Sequence, residues 1–360
     1  GHGMNRLFRL WAGRSIDPAR IPLPGHISHH VIRRADERYR FLLGADIADF
    51  GGTLFCGWGN SRRDENDRWS VMRGCRSGDG GRSWGAAERI SPPLSRGFSC
   101  SHGVFFPCGG RLHALVPQAR YGIPGDSAYP GLRTVLMTLA PDGSAWQFSG
   151  VVIPEPFWPM ARPQKSAAGN YLLPGIRCIG DKALPAVAVS DGERIDCWRI
   201  VEIPQPRRAG AWGEGGLLVD GSQVAFVFRN GWKDRPFARI AFSGDCGESW
   251  SETADTNLPM SPAKPCCGTL SDGRRYLIFN PAPDARDTLA VAVSAPGELQ
   301  FRSICAVRHG KSPRPRFRGW GKECQWAYPS ACEYNGALHI VYASSKEDCV
   351  LSVIPLDELK

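Results

Sequence analysis

The chain has no apolar run approaching the roughly 18 residues that a membrane-crossing helix needs. The stretch from Met4, Asn5-Arg6-Leu7-Phe8-Arg9-Leu10-Trp11-Ala12-Gly13-Arg14, loses its apolar character too soon for the hydrophobic segment of a secretory signal. Gly1-His2-Gly3 reads as the remnant of an expression tag, and 4–360 as a single domain without a visible boundary. The thirteen cysteines are odd in number, scattered, and lack paired C-x-x-C spacing. That argues against a zinc site and a disulfide framework; the expectation is reduced, buried thiols in a cytoplasmic protein with no metal or other cofactor. No long Lys/Arg run and no nucleic-acid-binding motif occurs, so the formal charge of +9, from 44 basic and 35 acidic residues, points to an anionic partner other than nucleic acid.

Long helical apolar periods are also few, whereas 42 Gly, 29 Pro and 12 Trp suit many short strands with turns between them. One stretch recurs. Ser77-Gly78-Asp79-Gly80-Gly81-Arg82-Ser83-Trp84 returns as Ser243-Gly244-Asp245-Cys246-Gly247-Glu248-Ser249-Trp250, each copy behind a strand-like run. The Asp can bond backbone two residues on, the Gly supplies positive φ, and the Trp folds back over the turn, so the motif closes a hairpin. Weaker echoes stand around Asp142, Asp191 and Gly297. Together with Asp79 and Asp245 they recur every roughly 50–60 residues, the spacing of four-stranded sheets in a repeat protein. An offset series of turns, Gly51-Gly52, Gly109-Gly110, Ala168-Gly169, Asp220-Gly221, Asp272-Gly273 and Asn335-Gly336, each feeds an alternating apolar strand, as the first hairpin of each unit requires. The last unit has no Asp motif after it and calls for a strand from the N-terminal segment. The Pro-rich stretches from Pro154 to Pro163 and from Lys311 to Pro315 read as long loops that build a pocket on one face.

The repeated S-x-D-x-G-x-S-W motif resembles the Asp box, or BNR repeat, of the sialidase (neuraminidase) superfamily. That resemblance implies an all-β fold, a six-bladed β-propeller of four-stranded antiparallel blades. It gives Asp79 and Asp245 a structural role, since Asp boxes lie far from the active site and also occur in propellers of other activity. The activity implied is a sialidase-like exo-glycoside hydrolase removing an acidic sugar from an oligosaccharide or glycoconjugate. Such enzymes hold the substrate carboxylate with three arginines and use a Tyr nucleophile activated by a Glu, with an Asp as acid/base. A guanidinium fork binds a carboxylate bidentately. A neutral Tyr approaches an anionic sugar without the repulsion that a carboxylate nucleophile would meet.

Carried onto this sequence, the resemblance places Glu214 at the start of one strand and Arg229 at the end of the next, in Glu214-Gly215-Gly216-Leu217 through Phe226-Val227-Phe228-Arg229. It places a second substrate arginine at Arg286, in Asn280-Pro281-Ala282-Pro283-Asp284-Ala285-Arg286, and the nucleophile at Tyr328, in Gln325-Trp326-Ala327-Tyr328-Pro329. The acid/base falls in Asp64-Glu65-Asn66-Asp67, where Asp67 fits best and Asp64 and Glu65 compete. The pattern breaks at the first blade: Leu42 stands where the superfamily carries the Arg of an Arg-Ile-Pro signature, Arg40 is two residues away, and Arg20-Ile21-Pro22 lies too far upstream. Related propellers that cleave uronate- or rhamnose-containing polysaccharides, lyases included, work with His, Tyr and Arg. Ser101-His102-Gly103 keeps that alternative, with His102 and Tyr328 as the acid/base pair, and a carbohydrate-binding propeller without catalysis is the third reading.

Overall fold

The computed structural model describes residues 7–95, 97–121, 129–206, 211–231 and 235–360; the Gly1-His2-Gly3 segment lies outside them. The described chain is all-β, with two three-residue 3-10 turns as its helical content. The first sheet runs Phe41–Phe50, Thr53–Ser61, Val71–Ser77 and Glu88–Arg89 in sequence order. In the second, Phe98–Cys100 and Val104–Cys108 both pair with Arg111–Arg120, which is followed by Arg133–Leu139 and Trp146–Ile153. The third holds Tyr171–Ile179, Lys182–Asp191 and Arg194–Glu202, with the short strands Phe157–Pro159 and Gln164–Lys165 along its leading edge. It joins the fourth (Ala211–Asp220, Gln223–Asn230, Phe237–Ser243, Ala254–Pro259) through one parallel pair, Ala183 with Trp212. The fifth comprises Cys266–Thr269, Arg275–Phe279, Leu289–Ser294 and Phe301–Arg308. The sixth takes Trp326–Tyr334, Ala337–Ser344 and Asp348–Pro355 and gains its fourth strand from Ser28–Arg33, so the N-terminal segment completes the C-terminal sheet as the missing Asp motif required.

The glycine turns sit at the first hairpin of each unit. Gly51 and Gly52 have φ of +60° and +82°, a conformation that costs a side-chain-bearing residue and costs Gly little. The strands they feed are apolar on both faces because each sheet is covered on both sides. Apolar clusters lie between each consecutive pair of sheets: Phe55 with Phe105 between the first and second, Phe106 with Leu173 between the second and third, and Leu172 with Phe226 between the third and fourth. Val227 with Leu277 and Ile278 with Leu338 continue the series, and Leu54 with Val341 joins the sixth sheet back to the first. The leading strands follow suit, Phe41–Phe50 packing on Trp326–Tyr334 on one side and on Val104–Cys108 on the other.

Both Asp boxes have one geometry. Asp79 accepts from Ser77 Oγ (2.8 Å), Ser83 N (2.9 Å) and Ser83 Oγ (2.5 Å), while Trp84 Nε1 donates to Gly81 O (3.1 Å). Asp245 repeats these bonds with Ser243 and Ser249, and Trp250 Nε1 donates to Gly247 O (3.0 Å). Each motif links the third and fourth strands of its sheet, with the Trp half-buried against an inter-sheet cluster. The Pro154 to Pro163 stretch is not wholly a loop: Phe157–Pro159 pairs with Tyr171–Ile179. None of the thirteen cysteines is in a disulfide. Among the described residues no helix is long and apolar enough to cross a membrane, and no group of His, Cys, Asp and Glu is arranged to hold a metal ion.

Candidate active site

Three of the leading strands are broken by register shifts at one place in the fold: between Leu43 and Asp46, between Ala211 and Gly215, and between Ala327 and Ser330. A bulge bends its strand and re-aims a side chain, and bulges gather beside functional sites. The first carries Gly44 at φ +70°, where an added Cβ would lie 2.0 Å from His102 Cγ. The second carries Glu214. The third carries Tyr328, held at φ +59°, a conformation that an aromatic residue leaves unless its surroundings impose it. What imposes it is polar: Ser330 Oγ donates to the buried Asp46 carboxylate (2.5 Å), and Lys264 Nζ donates to Pro329 O (3.3 Å).

These devices aim Tyr328 and Glu214 into a cavity of about 600 Å³ that is also lined by Arg229, Arg286, His102 and Lys346. Tyr328 Oη donates to Glu214 Oε1 (3.0 Å), and Trp212 Nε1 donates to the same oxygen (2.8 Å). Arg229 Nη1 stands 3.5 Å from Glu214 Oε2 and 3.4 Å from Tyr328 Oη, and its Nε donates to Asn230 O (3.1 Å). Glu214 and Arg229 meet because the antiparallel pairing of Gly215 with Phe228 sets their strand ends side by side. Arg286 donates to Pro262 O (2.8 Å) and Gln325 Oε1 (3.2 Å), with its guanidinium carbon 5.6 Å from the centre of the Tyr328 ring. Tyr328, Glu214 and Arg229 are 7%, 5% and 2% exposed.

At that burial the ionisation states separate. Burial pushes the Tyr328 phenol well above its ordinary value and the Glu214 charge adds to this, while Arg229 and Arg286 oppose it. Burial also pushes the Glu214 carboxyl up. The Arg229 charge and the hydrogen bonds from Tyr328 and Trp212 more than offset it, leaving Glu214 below the usual carboxylate range. The pair is a neutral phenol on an ionised carboxylate. Burial pushes His102 down to about 3, so its ring is neutral at pH 7.

Two sequence expectations are corrected. Asp67 does not line the cavity: its carboxylate takes the backbone N–H groups of Arg63 (2.9 Å), Asp64 (3.3 Å) and Trp69 (3.0 Å) and so organises the turn. With Asn66 at φ +54°, that turn sends Glu65 and Asn66 inward, so of the three competing candidates it is Glu65 whose carboxylate lines the cavity. Arg40 also points away, pairing with Glu37 (2.9 Å) at 41% side-chain exposure in an arginine-lined groove with Arg38, Arg62 and Arg63. Leu42 is buried in the apolar cluster between the sixth and first sheets.

Sequence reasoning missed Trp212, two residues before Glu214 within the bulged segment, whose indole the bulge brings onto the Glu214 carboxylate. It also missed Lys346, Tyr129, Trp158 and Trp320. Tyr129, Trp158 and Trp320, together with Glu65 and Asn66, border both this cavity and an adjoining one of about 500 Å³ lined by Ser99, Ser101, Arg120 and Tyr121.

A fold of Asp-box sheets whose bulged leading strands meet at a buried Tyr–Glu–Arg cluster defines a class of protein. The BNR repeat-like domain family matches residues 52–340, and the chain belongs to that family. The resemblance to the sialidase superfamily is thereby borne out. A protein of unknown function from Dyadobacter fermentans is similar in structure, with a TM-score of 0.72 at 13% identity, covering 91% of this chain and 99% of that one. A Hadza microbial sialidase has a TM-score of 0.68 at 15% identity over 91% and 68% of the two chains. The intramolecular trans-sialidase of Ruminococcus gnavus has a TM-score of 0.68 at 11% identity over 91% and 98%. At such identities the likeness speaks for the fold. No curated protein sequence matches the chain.

Proposed function

We propose that the chain is a six-bladed β-propeller and a sialidase-like glycoside hydrolase that removes an acidic sugar from the end of a glycan. The propeller reading is supported by the cycle of six inter-sheet clusters, the last of which returns from the sixth sheet to the first. The observation that carries the activity is the 3.0 Å hydrogen bond from Tyr328 Oη to Glu214 Oε1 at the floor of a cavity bearing two guanidinium groups. Arg229 and Arg286 hold the sugar's carboxylate. Tyr328 Oη attacks the anomeric carbon as Glu214 takes its proton, and the glycosidic oxygen leaves with a proton from Glu65. Water then attacks the tyrosyl-linked sugar, giving its proton to Glu65, and the tyrosine recovers its own from Glu214. Before the forming bond removes the phenolate charge the proton rests on the phenol, and transfer becomes favourable only as that bond forms. The cavity bordered by Tyr129, Trp158 and Trp320 would take the rest of the glycan on its aromatic faces.

The second reading, β-elimination from a uronate by His102 and Tyr328, keeps one observation in its favour: the two rings meet edge-on with centroids 6.0 Å apart. One experiment separates the readings. A fluorinated sialosyl inactivator should attach to Tyr328, identified by peptide mass, and Tyr328→Phe should lose turnover while keeping affinity for the sugar. A fully active Tyr328→Phe enzyme, or a product carrying an unsaturated uronate, would overturn hydrolysis.

A further inference from the structure

Lys346 is the middle residue of the three-residue connection between Ala337–Ser344 and Asp348–Pro355, closed by Glu347 N donating to Ser344 O (3.0 Å), and both Ser345 (φ +55°) and Lys346 (φ +54°) are in the left-handed region. Hairpin turns that need positive φ at both positions are normally built from Asn and Gly. Here the conformation is enforced: Ser345 N donates to Gln325 O (2.8 Å), Ser345 Oγ bonds Ser312 Oγ (2.6 Å) and Pro313 O, and Lys346 O accepts from Leu42 N (2.9 Å). What this conformation achieves is placement. The lysine is 5% exposed, and its ammonium enters the Tyr328 cavity 5.9 Å from the Phe41 ring centre and 5.8 Å from that of Trp320. An added Cβ at Gly321 would come within 3.0 Å of it.

Among the described residues the ammonium has one hydrogen-bond partner, Glu65 Oε2 at 3.3 Å, which leaves two of its three donors for a ligand. Burial pushes Lys346 down, Glu65 offsets part of this, and Arg286 adds to it. The charged groups facing it in the cavity are Glu65, Glu214, Arg229 and Arg286, with Asp284 and Glu323 exposed at the mouth. A cation held there with a single long bond favours an incoming anion. The backbone contact with Leu42 puts it beside the position where the superfamily pattern calls for an arginine.

We propose that Lys346 completes the anion site with Arg229 and Arg286, in place of the first-strand arginine that this chain lacks, and selects sugars bearing a carboxylate. The inference rests on the reading of the cavity as an acidic-sugar site. An ammonium is a point charge rather than a planar fork, so the site tolerates more than one carboxylate geometry.

The test is direct binding, read by tryptophan fluorescence, of N-acetylneuraminate, glucuronate and galacturonate, each against its methyl ester. The wild type should prefer at least one acid to its ester, and Lys346→Met should weaken that acid by about 10- to 100-fold while leaving the ester unchanged. Lys346→Arg should restore most of the preference. Because the turn is strained, Glu65→Gln serves as a second variant with the opposite sign: freeing the ammonium should tighten the acid several-fold, and the gain should vanish in the Lys346→Met background. Lys346→Met binding the acid as tightly as wild type, or a wild type that prefers no acid to its ester, overturns the inference. A uronate bound through Lys346 together with inert sialosides would instead retire the sialidase reading and keep Lys346 in its role.

Discussion

Replacing Glu214 with Gln isolates the proton acceptor with little change of shape. Glu214 Oε1 accepts from both Tyr328 Oη and Trp212 Nε1, so the amide oxygen keeps both bonds by staying in place. The amide nitrogen then replaces Oε2 and presents a donor to Arg229 Nη1 at 3.5 Å, where an acceptor stood. Losing one charged hydrogen bond in this buried setting costs about 2 kcal/mol. For a chain of this length that lowers Tm by about 3 °C. The chemical cost is larger. An amide cannot take the phenol's proton, and a general base contributes about 10²- to 10⁴-fold, so kcat should fall by that factor while Kd for the acidic sugar stays within a few-fold. In the wild type, kcat/KM should decline as pH falls through the Glu214 value, below the ordinary carboxylate range because Arg229, Tyr328 and Trp212 favour the ionised form. The Gln variant should lack that limb. The assay is hydrolysis of fluorogenic acidic glycosides across pH, with a thermal scan of each protein. A Gln variant that turns over within threefold of wild type and keeps the acid limb would refute the assignment.

Glu65→Gln should lower kcat by about 10²- to 10⁴-fold, whereas Asp67→Asn, which touches only the turn's backbone donors, should remain within roughly tenfold; steady-state kinetics on the two variants decides between the carboxylates. Asp79→Ala should lower Tm and leave kcat/KM within about twofold, since the Asp box lies between the third and fourth strands, away from the Tyr328 cavity. Hydrogen bonds from Ser83 and Ser77 hold the Asp79 carboxyl down to about 2, so its contribution is present above the unfolded value near 4 and lost as pH falls toward 2. Thermal scans of wild type and variant should therefore converge in that window. His102 has the opposite chemistry: its folded value of about 3 lies below the unfolded 6.5, so the unfolded chain binds the extra proton as pH falls between them. Stability should drop there by up to about 1.4 kcal/mol per pH unit from this residue. His102→Gln should flatten the slope in denaturant titrations, and an unchanged slope would show the ring to be solvated.

Features set by neighbours in sequence were legible without a structure. The Asp boxes close through bonds that span at most four residues, and the hairpin glycines meet a steric demand within their own turn. The hairpin placed Glu214 near Arg229 because an antiparallel register carries one strand's start to the next strand's end. Even Tyr328 was reachable, from its place in the opening segment of the last unit.

What the sequence could not decide was direction and convergence. Asp64, Glu65 and Asp67 are alike in composition, and the positive φ of Asn66 selects which carboxylate turns inward. Arg40 and Leu42 differ in fate because one precedes the strand and faces Glu37 and solvent while the other, inside the strand, enters the cluster between the sixth and first sheets. Lys346 reaches Glu65 only because the last sheet packs against the first, a contact that spans nearly the whole chain and leaves no local pattern. Periodicity is a property of a few residues, and it fixed the strands and their turns; the cavity is a property of how six sheets meet, and only the tertiary structure set its charges together.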